Sequence, residues 1–205
     1  MSDAPALILA SGSPRRSDLL NEAGYHFTVV KPDVVEIEDP AIAIRELTAL
    51  NARLKADAVA SAYPGAVTIA ADTLVLLGEK VFGKPADREE AARMLAELNG
   101  CTHQVFTAVS FIYHEGETET VHSLTVATEV IFKHLAPDEM AAYHGKMDPL
   151  DKAGAYAAQE HGDLIIECIS GSMTNVVGLP MDEVTAALER HFGIRPAALR
   201  PEALP

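Results

Sequence analysis

Apolar residues follow two rhythms along the chain. In the first third they come as short compact runs, and between residues 102 and 132 they alternate with polar ones. Compact runs read as strands buried on both faces, and they place strands at residues 7–10 and 66–71, with a further apolar run at 74–77. Residues 26–30 predict another strand, running into Lys31-Pro32. The alternating stretch is rich in Val, Thr, Phe and Ile and is broken by His114-Glu115-Gly116-Glu117. It predicts a long antiparallel hairpin with Gln104, Phe106, Ala108, Ser110 and Ile112 on one face, and a last buried strand follows at 164–169. Helices are predicted from Ser13-Pro14 to Gly24, over 41–62 before Pro64-Gly65, from the capping pair Asp87 and Glu90 to Leu98, from Pro137 to His144, and over 181–192. The order implies an α/β fold, a mixed twisted β-sheet flanked by helices. One domain would cover 1–193, with 194–205 as a proline-containing C-terminal tail over the surface.

Composition narrows the function classes. The 205 residues are 48% hydrophobic, enough for a substantial core, and carry a formal net charge of −14. That balance argues against a nucleic-acid polymer or an anionic membrane as partner, because both need broad basic surface. No apolar run approaches the ~20 residues that span a bilayer, and the acidic N-terminus is unlike a secretory signal. The expectation is a cytoplasmic protein. Cys101 and Cys168 show no pairing pattern and read as reduced core residues. The histidines have no metal-ligand spacing, and no GxSxG element is present.

Candidate chemistry gathers at a few places. Ser11-Gly12-Ser13-Pro14-Arg15-Arg16 leaves a strand and enters a helix, so free first-turn amides and two guanidinium forks would face an anion; an exposed basic helix start is the plain alternative. Asp72-Thr73 is placed at the carboxyl end of a strand, where ligands collect in open α/β sheets. Residues 78–84 fit the GxxxxGK spacing, but Pro85 stands where a phosphate loop needs a magnesium-binding hydroxyl, and Gly78-Glu79-Lys80 reads as a hairpin turn. Lys84 can still serve as a point charge for phosphate. The acidic loop with Asp33, Glu36, Glu38 and Asp39 is either solvated or supplies one metal ligand. Arg53 and Lys55 on an Ala/Leu helix read, by residue type, as surface cations. Asp151-Lys152-Ala153-Gly154-Ala155-Tyr156 and Gln159 form a polar segment of the kind that lines sites.

Taken in order, Ser11-Gly12-Ser13-Pro14-Arg15-Arg16, Ala71-Asp72-Thr73, Gly83-Lys84-Pro85, Asp151 to Tyr156 with Gln159, and Gly178-Leu179-Pro180 resemble the Maf family of nucleoside triphosphate pyrophosphatases. The resemblance implies an inosine-triphosphatase-like fold with two lobes and a central cleft. It implies hydrolysis of a nucleoside triphosphate to monophosphate and pyrophosphate with Mg2+ or Mn2+, a homodimer, and a role in clearing nucleotides or restraining division. Asp72 matches the family's proton acceptor. Arg15, Thr73 and Gln159 match positions that separate the dTTP/UTP branch from the 7-methyl-GTP branch, and Thr73 favours the former. Lys55 and Lys84 match phosphate-binding lysines, to which Ser11, Ser13, Arg15 and Arg16 are added as a phosphate-binding group. Asp72 and Glu36, with Glu38 as the alternative, are the implied metal ligands. The family's Tyr-Gly-Ile-Gln-Gly reads Tyr156-Ala157-Ala158-Gln159-Glu160 here, which stiffens the segment and sets an acid beside Gln159. A nucleotide-binding division regulator with incidental hydrolysis, and a protein-interaction module, are the competing classes.

Overall fold

The two apolar runs that flank Asp72-Thr73 are one strand. In the computed structural model, which describes residues 4–197, β3 extends over Ala66–Leu77, so Asp72 lies in the interior of a strand and not at its carboxyl end. Aspartate is a poor strand former and mimics a strand end in sequence; here the neighbouring strand overrides that preference. β3 is paired along nearly its whole length with antiparallel β5 (Thr102–Glu115), from Val67 opposite Tyr113 to Leu76 opposite Gln104.

Its other edge is covered only in part. Parallel β1 (Ala6–Leu9) runs beside Ala66 to Ile69, and β4 (Lys80–Phe82) folds back antiparallel onto Val75 to Leu77. Residues 70–74 lie in the gap between these two partners, and there the cleft opens. Among the described residues the seven-stranded sheet runs β2-β1-β3-β5-β6-β7, with β4 beside β3. Here β2 is Thr28–Val29, β6 is Thr118–Phe132 and β7 is Ile166–Ser170. The predicted hairpin is β5 and β6, and the sheet is mixed as expected.

Seven helices accompany the sheet among the described residues: α1 (Pro14–Glu22), α2 (Ile44–Ala60), α3 (Arg88–Leu98), α4 (Pro137–His144), α5 (Gly162–Ile165), α6 (Met173–Val177) and α7 (Met181–Phe192). Alternate residues of the compact strands face opposite ways, which is why those strands are apolar throughout. Leu7, Leu9, Ile69 and Phe111 join α1 and α7 in one core, whereas Ile8, Ala10, Ala70 and Ile112 meet α2 on the other face. A third core, beyond the gap, packs Val75, Phe82, Leu95, Leu98, Phe132 and Tyr143. The cleft therefore separates two independently packed regions.

Several expectations need correction. Residues 164 and 165 close the short α5, and β7 is an edge strand whose residues are mostly open to solvent, because among the described residues it has only one neighbouring strand. Cys168 on β7 is accordingly exposed and Cys101 only half-buried, so neither is a core residue; both thiols are free. Ile194 does not trail over the surface: its amide bonds Leu188 O at 3.1 Å, its side chain joins the first core, and Ala197 N reaches Gly24 O at 2.9 Å. The rest of the expected tail, residues 198–205, lies outside the described residues. Among the described residues no helix is long and apolar enough to cross a membrane.

Candidate active site

The cleft has a volume of about 1000 Å³ and is lined by Ser11 to Arg16, the acidic loop, Lys55, Asp72, Thr73, Lys84 and the 151–159 segment. It brings together every site residue anticipated from the sequence. What it changes is how each is held.

On one wall, β1 hands the chain to α1 through Ser11. The Ser11 hydroxyl accepts from Ser13 N at 3.1 Å and from Arg16 Nη1 at 3.3 Å. Ser13 occupies the N-cap position but makes no side-chain cap bond, and Pro14 opens the helix as expected. Arg16 donates Nε to Gly178 O at 2.8 Å and Nη2 to Thr73 Oγ1 at 3.0 Å. Three of its five N–H groups are thus already engaged by protein, which makes it a brace between α1, β3 and the loop after α6 as much as an anion clamp. Thr73 continues to Thr107 Oγ1 at 3.0 Å, and Thr107 to Asn175 O at 2.9 Å. Gly178 has φ +123, and a Cβ there would sit 3.5 Å from both Arg16 Nε and Thr73 Oγ1.

The opposite wall is ionic. Lys55 lies on α2, but it is buried and not a surface cation: Nζ is 2.6 Å from Asp72 Oδ1 and 3.0 Å from Glu36 Oε1. One turn earlier on α2, buried Asn51 brackets the backbone of Ile37, accepting from Ile37 N at 2.8 Å and donating to Ile37 O at 3.0 Å. That clasp holds the acidic loop so that Glu36 turns to the lysine, while Glu38 lies on the rim without a salt bridge among the described residues. Asp72 Oδ2 is buried with no partner among the described residues. Burial raises the Asp72 pKa above the ordinary carboxylate range, against the pull of Lys55. Burial acts in the same sense on Glu36, but Lys55 and, farther off, Lys84 outweigh it and lower its pKa.

Lys84 stands over the cleft on the Gly83-Lys84-Pro85 corner, which Gly154 N ties down through Gly83 O at 3.0 Å. Gly154 has φ +69, and a Cβ there would come within 3.1 Å of Val75, so glycine is required. Partial desolvation lowers the Lys84 pKa, with Lys55 and Arg16 acting in the same direction against Glu36 and Asp72. Arg15 reaches across the cleft to Asp151, with Nη1 to Oδ2 at 2.6 Å and Nη2 to the backbone O at 3.1 Å. Lys152 flanks the same carboxylate at 2.7 Å and lies 3.5 Å from Glu160. Gln159 is exposed at the mouth of the cleft. Tyr156 on the floor pairs through its hydroxyl with His103 Nε2 at 2.9 Å, and burial pushes His103 down to about 4, so that it stays neutral and structural.

Three residues of this arrangement escape sequence reasoning: Asn51, Thr107 and Asn175. The only hint for Asn51 is a poor helix former on the apolar stripe of α2. For Thr107, inside an alternating Val/Thr strand, there is none.

The sequence profile of the Maf-like protein family matches residues 6–191. A dTTP/UTP pyrophosphatase of Myxococcus xanthus is 45% identical, over 92% of this chain and 94% of its own length. Proteins of the same name from Akkermansia muciniphila and Geobacter sulfurreducens are 42% and 41% identical, each over 90% of this chain and 95% of their own length.

Proposed function

Because the chain belongs to the Maf family, we propose that it hydrolyses dTTP and UTP to the nucleoside monophosphate and pyrophosphate. The observation that carries this reading is the wall on which Asp72 and Glu36 share Lys55 in the cleft that Lys84 also lines, with Asp72 Oδ2 buried and unpartnered among the described residues. The names of the relatives support the choice of substrate.

Water must attack the α-phosphorus in line with the departing pyrophosphate, and a polyanion repels that attack until cations gather it. Lys55 and Lys84 hold the phosphates, and the open amides of α1 and the free N–H groups of Arg15 and Arg16 add donors. Arg15, Thr73 and Gln159 line the part of the cleft assigned to the nucleobase. Asp72 orients the attacking water and takes its proton. The donor set fits a divalent cation that arrives with the triphosphate. Asp72 offers an unused buried oxygen and Glu36 a second carboxylate, while no group of three or more His, Cys, Asp or Glu side chains forms a cage among the described residues. Mg2+ is commonly held by one or two carboxylates together with substrate phosphates. Bound there, Mg2+ or Mn2+ would neutralise charge developing on the phosphates. The reading extends to a cytoplasmic homodimer that clears nucleotides, on the strength of the family resemblance alone; light scattering on the purified protein tests the dimer.

The deciding experiment identifies products after incubation with Mg2+ or Mn2+ and thymidine, uridine, 5-methyluridine, cytidine, guanosine and 7-methylguanosine triphosphates. Monophosphate plus pyrophosphate from the thymine and uracil members is expected. Turnover of 7-methylguanosine triphosphate alone would keep the reaction and reject the branch. Binding without turnover of any member would make the protein a nucleotide-dependent regulator.

A further inference from the structure

The hydrogen bonds behind Thr73 can run in only one direction. The chain is Arg16 Nη2, Thr73 Oγ1, Thr107 Oγ1 and the carbonyl of Asn175, with spacings of 3.0, 3.0 and 2.9 Å. A guanidinium only donates and a carbonyl only accepts. Thr107 must therefore give its proton to Asn175 O, which leaves its oxygen to accept from Thr73. Thr73 must give its proton to Thr107 while accepting from Arg16. A hydroxyl has one proton and two lone pairs, so Thr73 has only a lone pair left to present to the cleft it lines.

We infer that Thr107 is a positioning residue that fixes Thr73 as a pure acceptor and thereby makes the site select a base that offers a donor at ring position 3. The inference rests on the reading of Thr73 as a base-contacting residue. Uracil and thymine carry an N–H at ring position 3; cytosine carries a bare lone pair there, which an acceptor repels. Thr107 touches no substrate. It is buried, and its partner Asn175 is anchored by Nδ2 to Val105 O and to Thr128 Oγ1, each at 3.0 Å, so the acceptor at the end of the chain cannot swing away. Discrimination of this kind works through the rejected ligand as much as through the favoured one.

The test is the ratio of UTP to CTP turnover (kcat/KM), together with the ratio of UMP to CMP affinity by calorimetry. In Thr107→Val and the smaller Thr107→Ala the Thr73 proton loses its acceptor and can turn to the cleft. Both ratios should then fall about tenfold, the worth of one hydrogen bond. Thr107→Ser should restore them. Thr73→Val, which leaves Thr107 untouched, should abolish the same preference, so the inference stays exposed even if the Thr107 variants fold poorly. An equal fall for uridine and cytidine nucleotides in Thr107→Val marks a merely structural threonine and overturns it, as does an unrestored ratio in Thr107→Ser or a wild-type protein with no uridine preference in binding. A wild-type protein that hydrolyses neither triphosphate yet prefers UMP rejects the proposed reaction, while the affinity ratios still decide the role of Thr107.

Discussion

The two walls of the cleft solve opposite problems. The wall made by Ser11, Arg16, Thr73, Thr107 and Asn175 is a connected set of hydrogen bonds, and its one formal charge, Arg16, is pinned by three neutral acceptors. The wall made by Lys55, Asp72, Glu36 and Lys84 sets two carboxylates against two lysines and leaves Asp72 Oδ2 unanswered. A connected hydrogen-bond frame keeps its geometry whether or not a ligand is present. A balanced charge cluster built on the buried Lys55–Asp72 pair, with Glu36 and Lys84 on its solvent side, does the reverse: a polyanion or cation that enters changes the protonation and pairing of its members. On the proposed function, shape is stored on the first wall and reactivity on the second, so damage to them should read out differently.

Asp72→Asn strikes the ionic wall at its centre. It keeps the size of the side chain and removes the charge and the basic oxygen. Pyrophosphate release should fall by about 10³-fold in kcat, within the range for loss of a general base, with KM changed only a few-fold. Near-normal turnover would remove Asp72 from the chemistry altogether.

Lys55→Met tests how that wall is balanced. Lys55 holds down both carboxylates; without it the pKa of Asp72 rises further and the depression of Glu36 is relieved. At a given pH fewer of these groups are ionised, so the acid limb of kcat/KM should move to higher pH, with turnover at neutral pH lower by about 10²-fold. A pH profile from about pH 5 to about pH 9 for both proteins decides it. An acid limb that stays in place means that the group titrating there lies outside this cluster.

Asn175→Ala strikes the other wall from behind. It deletes the bonds to Val105 O and Thr128 Oγ1 in a fully buried setting. The cost should be about 2 kcal/mol, from a buried acceptor left without its donor. Thermal unfolding should show it as a Tm lower by roughly 4–8 °C for a domain of this size. Turnover of UTP should fall far less than in Lys55→Met. A collapse of kcat with an unchanged Tm would mean that the two walls are not separable.

The sequence told these walls apart unevenly, for physical reasons. Strand rhythm and helix stops located the sheet and most helices, because burial writes itself into period-2 and compact apolar patterns. The gap along β3 was invisible: it depends on β1 and β4 each covering part of one edge, which no local pattern encodes. Lys55 looked like a surface cation because residue type reports what is usual, and only its partners Asp72 and Glu36, 17 positions away for the former, make its burial tolerable. Thr107 and Asn175 act through backbone carbonyls and a neighbouring hydroxyl, so nothing in their own residue type marks them.

The smallest effect concerns the departure at Ala157 and Glu160, where the family pattern has glycine. Neither residue is in the positive-φ region, which among the described non-glycine residues holds only Ala155 and His161. The substitutions therefore carry no backbone strain, and Ala157 is instead locked in place by bonds between its backbone and the Tyr143 hydroxyl at 2.9 and 3.1 Å. What remains is the charge of Glu160. Its side chain is 48% exposed and among the described residues pairs with Lys152, at 3.5 Å, whose stronger partner is Asp151 at 2.7 Å. The pair joins a half-exposed carboxylate to a buried ammonium that Asp151 already neutralises, so its loss costs no more than about 1 kcal/mol. Glu160→Gln should accordingly leave the ratio of UTP to CTP turnover within about twofold and lower Tm by no more than roughly 2–4 °C, the equivalent of about 1 kcal/mol in a domain of this size. A larger shift in the ratio would put Glu160 in reach of the base and extend the selecting surface from the hydrogen-bonded wall to the mouth of the cleft, beside Gln159.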